Sequence, residues 1–339
     1  SLYDVFINDK YVKTVNSTIF TIDFGDFDIC EVYVIPTISN RKSNSVTAVS
    51  TREYVFVSKS NGDDSNNGIS RDSPVSTIQK ALQLAQNCQN IILLDGDFSE
   101  NRQIDYDITI KGEGNATLTD HSAFTVNTNS FTLKNLNINN LISDTFIKGN
   151  VNLSINNCIF TDNQATLIDN IGFTNIKDSI LLNNSNIISS ENYNLDYNWW
   201  GSTSQNLNKP IDLNINNWLV LNATSNTNRL EVDHVTQVQF AFYLNDNMKY
   251  NNFRLINLDL TTINGTVESN ITSSDSKVTF TLTALGDGLM TAKYQNIETG
   301  VVFRFLKSAP NISVIAEDVM YGDELTVKVT APGDATGHI

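Results

Sequence analysis

Cysteine is scarce in this chain, and Cys30, Cys88 and Cys158 are odd in number and far from one another. They suit neither a disulfide framework nor a zinc spacing. Cys158, inside a repeated segment, reads as a small buried apolar residue. Positive charge is also in short supply. With 22 Lys and Arg against 37 Asp and Glu, the formal net charge is −15, and no Arg stands between Arg102 and Arg229. That excludes the clustered cations a nucleic-acid partner requires. Long apolar runs are missing too: Ile91-Ile92-Leu93-Leu94 and Ile180-Leu181-Leu182 fall far short of a bilayer crossing, and no signal peptide opens the chain. The chain starts at Ser1 within one strand-like phrase and stops at Ile339 within another. Both ends are therefore expected to be cut from something longer, with any export signal or anchor outside this stretch. At 40% hydrophobic and 17% charged residues over 339 positions, the chain can bury two or more cores.

What the chain has in abundance is asparagine, 47 residues, about one in seven. The doublets Asn139-Asn140, Asn156-Asn157 and Asn183-Asn184 lie in or beside a recurring phrase. It reads Leu133-Lys134-Asn135-Leu136-Asn137-Ile138, then Ile155-Asn156-Asn157-Cys158-Ile159-Phe160, then Ile176-Lys177-Asp178-Ser179-Ile180-Leu181, then Leu195-Asp196-Tyr197-Asn198-Trp199-Trp200. Its starts are 22, 21 and 19 residues apart. A period just over 20 fits one coil of a right-handed parallel β-helix. Such a coil forms two or three short strands and cannot bury its inward face alone. Coils therefore stack strand on equivalent strand, and apolar residues line up in rows inside. Asparagine tolerates left-handed backbone and bonds its own main chain, so it is expected at the corners.

The flanks follow other periods. Residues 1–49 alternate polar and apolar as antiparallel strands, with Asn8-Asp9-Lys10 as a hairpin turn. A turn-rich loop, Asn61 to Gly68, precedes a helix expected over 76–87. Ser76 and Gln79 would form its capping box, and Ile78, Ala81, Leu82 and Ala85 its apolar stripe. It would cover the open end of the first coil, with the stretches from Ile91 and from Ile108 as the coils beyond. After Asn222 the alternating segments lengthen, over 235–244, 253–260, 278–284 and 289–294, and turn signals such as Asn264-Gly265 separate them. That is the spacing of an immunoglobulin-like sandwich. The expected fold is all-β: a right-handed parallel β-helix, a pectate-lyase-like solenoid with a capping helix, flanked by immunoglobulin- or fibronectin-III-like β-sandwich modules. Residues 1–50 are read as the C-terminal part of one sandwich, 51–228 as the β-helix, 229–309 as a second sandwich and 310–339 as the start of a further one.

Several phrases carry a family resemblance. Tyr54-Val55-Phe56-Val57-Ser58, Gly62, Asp64-Ser65-Asn66-Asn67-Gly68, Ser73-Pro74 and Thr77-Ile78-Gln79-Lys80-Ala81-Leu82 resemble the opening of β-helix domains in adhesin-like surface proteins of methanogenic archaea. Asn198-Trp199-Trp200-Gly201 resembles the phrase that ends those solenoids, so the resemblance covers about residues 54–222. It implies a secreted protein held at the cell surface or wall, built from solenoid and immunoglobulin-like modules. It implies no characterised ligand, and the expected activity is non-catalytic binding of a surface glycan or protein of another cell. A structural spacer, partnered by neighbouring envelope proteins, is the alternative, and a polysaccharide lyase or hydrolase a weaker one. Exposed aromatic residues on a solenoid face favour binding, and uniformly polar faces favour the spacer.

The candidate site residues follow from these readings. Trp199 and Trp200, with Tyr197, have rings that could stack on sugars, or else close the far end of the solenoid. Asp63, Asp64 and Asn66 offer oxygen ligands for calcium, the one cofactor weighed, although their loop lacks the register of an EF-hand and its bidentate Glu and reads first as a plain turn. Lyases that resemble this fold use an Arg base, and this solenoid has none after Arg102. Hydrolases need paired carboxylates, for which Asp162, Asp169, Asp178 and Asp120 beside His121 are the available residues. Sequons at Asn16, Asn115, Asn152, Asn183, Asn222, Asn264, Asn270 and Asn311 would accept glycans on an exported chain.

Overall fold

The computed structural model describes residues 2–17, 19–20, 29–38, 41–44, 46–49, 53–203, 212–254, 256–267, 276–307, 313–316, 318–322 and 324–330. The chain divides into two compact units, one of residues 1–220 with 243–254 and one of 221–242 with 255–339. The first unit holds a parallel β-solenoid of about six turns, and the one helix among the described residues is short.

Three parallel sheets make the solenoid. The first face stacks Val55–Ser58, Asn90–Asp95, Ile108–Gly112, Ser130–Lys134, Asn152–Asn156, Thr174–Lys177 and Tyr193–Asn194. The second runs from Asp97–Phe98 through Thr117–Asp120, Asn137–Leu141, Ile159–Thr161 and Ile180–Leu182 to Asn198–Trp199, and then to the start of Trp218–Ser225. The third stacks Asn101–Ile104, Ala123–Val126, Thr145–Gly149, Thr166–Asn170 and Asn186–Ile188. Side chains alternate along each strand, and pairing is in register, so inward residues form rows. One row is Val55, Ile91, Ile110, Leu133, Ile155 and Ile176, every member fully buried. A second is Phe98, Leu118, Ile138, Phe160 and Leu181. Phe124, Phe146 and Phe160 meet edge to face at 5.7 and 6.5 Å between ring centroids, the arrangement favoured by the ring quadrupole.

The recurring phrase is the corner between the first and second faces. Its third residue is left-handed in each copy: Asn135 at φ 56°, Asn157 at 57°, Asp178 at 55° and Tyr197 at 65°. Its first, fourth and sixth residues are buried in each copy. A second left-handed column, Asp120, Asn140, Asp162 and Asn183, turns the chain from the second face to the third. Four of these eight corner residues are asparagine, at a backbone conformation where an L-residue is hard to fit. Some asparagines also bond from coil to coil, as in Asn157 Nδ2 to Asn135 Oδ1 at 2.7 Å. Others replace backbone partners inside the stack. Asn163, 1% exposed, accepts from the Leu141 amide and donates to the Ile138 carbonyl and to Asn184.

The helix, Ile78–Leu84, is shorter than the sequence suggests and starts later. Its N-cap is Thr77, whose hydroxyl accepts from the Lys80 amide at 3.1 Å, so the cap is not the Ser76–Gln79 box. The preference follows from Asp64, which accepts from the Ser76 and Thr77 amides and from the Thr77 hydroxyl and so fixes the entry to the helix one residue further on. Glu100, only 8% exposed, takes the next two amides, of Ile78 and Gln79. The solenoid also begins before the helix, because Val55–Ser58 already pairs in parallel with Asn90–Asp95.

Burial pushes the Asp64 carboxyl up, but the hydrogen bonds from Thr77 and Ser76 outweigh it and hold its pKa below the usual carboxylate value. A folded pKa below the unfolded one gives a stabilisation that is complete above the unfolded value and lost as pH falls through the folded one. Asp64→Asn is therefore expected to weaken the cap by about 1–2 kcal/mol at pH 7. It should also flatten the loss of protection below about pH 4. Amide exchange of residues 76–85 in acid reads both effects, and an unchanged pH profile would remove Asp64 from this role.

Outside the solenoid, Tyr3–Ile7, Lys10–Val15, Ile29–Pro36 and Val46–Val49 form an antiparallel sheet, with Asn8 and Asp9 left-handed at the expected hairpin turn. In the second unit, Ser276–Leu282 pairs antiparallel with Val235–Leu244 and Gly265–Val267. A second sheet joins Asp259–Ile263, Gly288–Tyr294 and Ile297–Phe305. The Phe280 ring of one sheet stacks on Phe303 of the other at 4.3 Å, which makes the pair a sandwich compatible with an immunoglobulin-like module. Gly265 gives Phe280 its room, since a Cβ there would lie 2.2 Å from the ring. A separate hairpin joins Ser313–Ala316 to Val327–Thr330.

Candidate functional site

The tryptophans weighed for sugar stacking or for closing the solenoid are buried. Trp200 follows the inward row that ends at Leu181 and is 2% exposed, within the solenoid core. Trp199 pairs with Ile180 and Leu219 and lies outside that core, yet it is fully buried and its indole donates to the Ser202 carbonyl at 3.0 Å. Neither ring offers a face to a sugar, and their burial fits the other reading, closure of the last coils. Tyr197 is half-buried and stacks on Tyr250 at 5.9 Å. Tyr250 donates its hydroxyl to Asp178, and Arg254 Nη1 donates to the Asn157 carbonyl at 2.9 Å. A segment from well beyond the solenoid strands thus clasps three successive coils at one corner. Burial, together with Asp178 as acceptor, pushes the Tyr250 hydroxyl well above its ordinary pKa.

The oxygens weighed for calcium are engaged locally. Asp63 accepts from the Ser65 amide, Asp64 holds the helix start, and Asn66 Nδ2 donates to the Pro74 carbonyl at 2.8 Å. These are the bonds of an ordered turn. The other carboxylates are dispersed. Asp120 and Asp162 are exposed on the second corner with His121 nearby on a turn, Asp169 lies on the third face, and Asp178 is on the first corner under Tyr250. Cys158 is fully buried, and burial raises its thiol to about 12, as suits a packing residue. Asn16, Asn115, Asn152, Asn183, Asn222 and Asn264 are exposed, with Asn183 bonded to Asp162 and Asn264 to the Asp287 carbonyl, while Asn270 and Asn311 lie outside the described residues.

The feature with the shape of a site is a groove of about 720 Å³ on the third face, where the chain turns toward the first. It is built by register. Thr125 stands beside Gln103 on one side and Lys148 on the other, and Lys148 beside Asp169. One residue past each following pair comes a second column, Asp105, Asn127, Asn150 and Ile171, all exposed. Gly149 shapes the floor, since a Cβ there would lie 2.5 Å from the Val126 carbonyl. Asp105 accepts from Gln103 Nε2 at 2.7 Å and Asn127 Nδ2 at 3.3 Å, and Lys148 reaches Asp169 at 3.7 Å. That ion pair is solvent-exposed and loosely held. Asn150 makes no side-chain bond to another described residue, and Ile171 is 76% exposed. The sequence signal for this groove was present as Asp105, Asn127 and Asn150 at coil spacing, but it lies off the corner phrase that dominates the repeat.

Comparison with protein-family models, with curated proteins and with solved structures finds no match for this chain.

Proposed function

We propose that this is a non-catalytic binding protein of the cell surface, adhesin-like, whose solenoid displays the third-face groove to a glycan on another cell or surface. The observation that carries the reading is the groove itself, where hydrogen-bonding side chains repeat at coil spacing and end on the exposed Ile171. Apolar surface at Ile171 beside hydrogen-bonding side chains supplies the two kinds of contact that a sugar ring uses. The arrangement of carboxylates supports binding over hydrolysis. Asp105 and the Asp169 strand are three strand steps apart, roughly 14 Å at the spacing of a β-sheet. Paired hydrolytic carboxylates sit at roughly 5–9.5 Å.

The test is binding of the intact chain to a glycan array and to whole cells, with new reducing ends assayed on the same glycans. Saturable binding without cleavage is the expected result. Release of reducing ends would replace the reading by an enzyme, and binding to neither array nor cells would leave a structural envelope component.

A further inference from the structure

We infer that the groove takes a neutral linear glycan, laid along the stack with about one sugar ring per coil, and discriminates against acidic polysaccharides; this rests on the binding reading above. Charge decides the class of ligand. The groove's ionic groups are Asp105, Asp169 and Lys148, and the single cation is already turned toward Asp169. A polyuronate would bring carboxylates to a groove with an uncompensated one at Asp105, in a chain of net charge −15. A neutral sugar brings hydroxyl donors, for which a carboxylate held by two amides is a strong acceptor.

Geometry decides the direction. The column Asp105, Asn127, Asn150 and Ile171 advances by one strand spacing per coil, about 4.8 Å. A pyranose ring in an extended chain covers a similar length, so each ring meets one rung. Asn129 and Asn150 each offer two donors and an acceptor, and Asn127, with one donor held by Asp105, offers the other donor and its acceptor to ring hydroxyls. Ile171, 76% exposed at the last rung, offers apolar surface to the C–H face of a ring. The volume of about 720 Å³ lies within the range of pockets that hold a ligand of a few rings.

The experiment is calorimetric titration of the intact chain with cellohexaose, mannohexaose and N-acetylchitohexaose, and with hexagalacturonate, repeated on Asn127→Ala/Asn150→Ala. Both asparagines are exposed and off the core rows, so the double variant is expected to keep the wild-type circular dichroism. At least one neutral hexaose should bind, the double variant should bind it about tenfold more weakly, and hexagalacturonate should bind weakest. Tighter binding of hexagalacturonate would overturn the charge argument. Unchanged affinity in the double variant would overturn the groove assignment while leaving a glycan-binding protein in place. Failure of all hexaoses with a positive whole-cell result would overturn the inference alone, and failure of both would take the binding reading with it.

Discussion

Asn198→Ala is expected to destabilise the solenoid by about 3–5 kcal/mol, because several buried backbone groups lose their partner at once. Asn198 is fully buried. Its Oδ1 accepts from the Ser179 amide at 2.9 Å, and its Nδ2 donates to the Ile176 carbonyl at 2.6 Å and the Leu195 carbonyl at 2.9 Å. Alanine leaves all three groups in a dry corner with nothing to bond. Asn198→Asp is also expected to fail, since a carboxylate cannot donate to two carbonyls. Asn183→Ala is the control: that residue is exposed on the other corner, and its loss, which includes the cost of a left-handed alanine, should stay at about 1–2 kcal/mol. The chain's three tryptophans all lie within residues 199–218, so indole fluorescence during urea unfolding reports on these last coils. Equal midpoints for the Asn198 and Asn183 variants would show that the buried amide is not what holds the corner.

Phe160→Ala tests the interior row in the same way, with an expected cost of about 3–5 kcal/mol. Phe160 is fully buried between Ile138 and Leu181 and meets Phe146 edge to face. Truncation leaves a cavity that close-packed coils on either side cannot fill. Phe160→Leu, which keeps most of the volume, should cost about half as much or less. Coils stack with nearest-neighbour coupling, so loss at this rung is expected to separate the unfolding of the coils before it from that of the coils after it. Amide exchange resolved by coil would show protection falling around residues 138–181, and a uniform fall across the chain would argue against local coupling.

The corner phrase made the solenoid legible because it combines three constraints in six residues. These are inward apolar positions, a left-handed third residue and a period set by the length of one coil. Even the direction of Trp200 was encoded, since it occupies the position held by Ile138, Phe160 and Leu181 in earlier copies. The burial of Trp199 was not. It points the other way from the strand, and whether an outward residue is covered depends on chain that arrives from elsewhere. Tyr250 reaching Asp178 across 72 residues shows the scale of such contacts. The helix cap lies one residue beyond the expected Ser76 for a related reason. The Ser76–Gln79 box is the local signal, and Asp64 from the preceding loop overrides it in favour of Thr77. The groove was the least legible feature, because its residues come from the third face, where strand sequences vary and only register brings Asp105, Asn127 and Asn150 into one line.

Recognition of a glycan by the intact chain is the most direct test of the proposed function. A glycan array probed with the whole chain, and read at rising protein concentration, should give saturable signal concentrated on neutral linear structures. An array that stays blank, or one that responds only to acidic polymers, would contradict it.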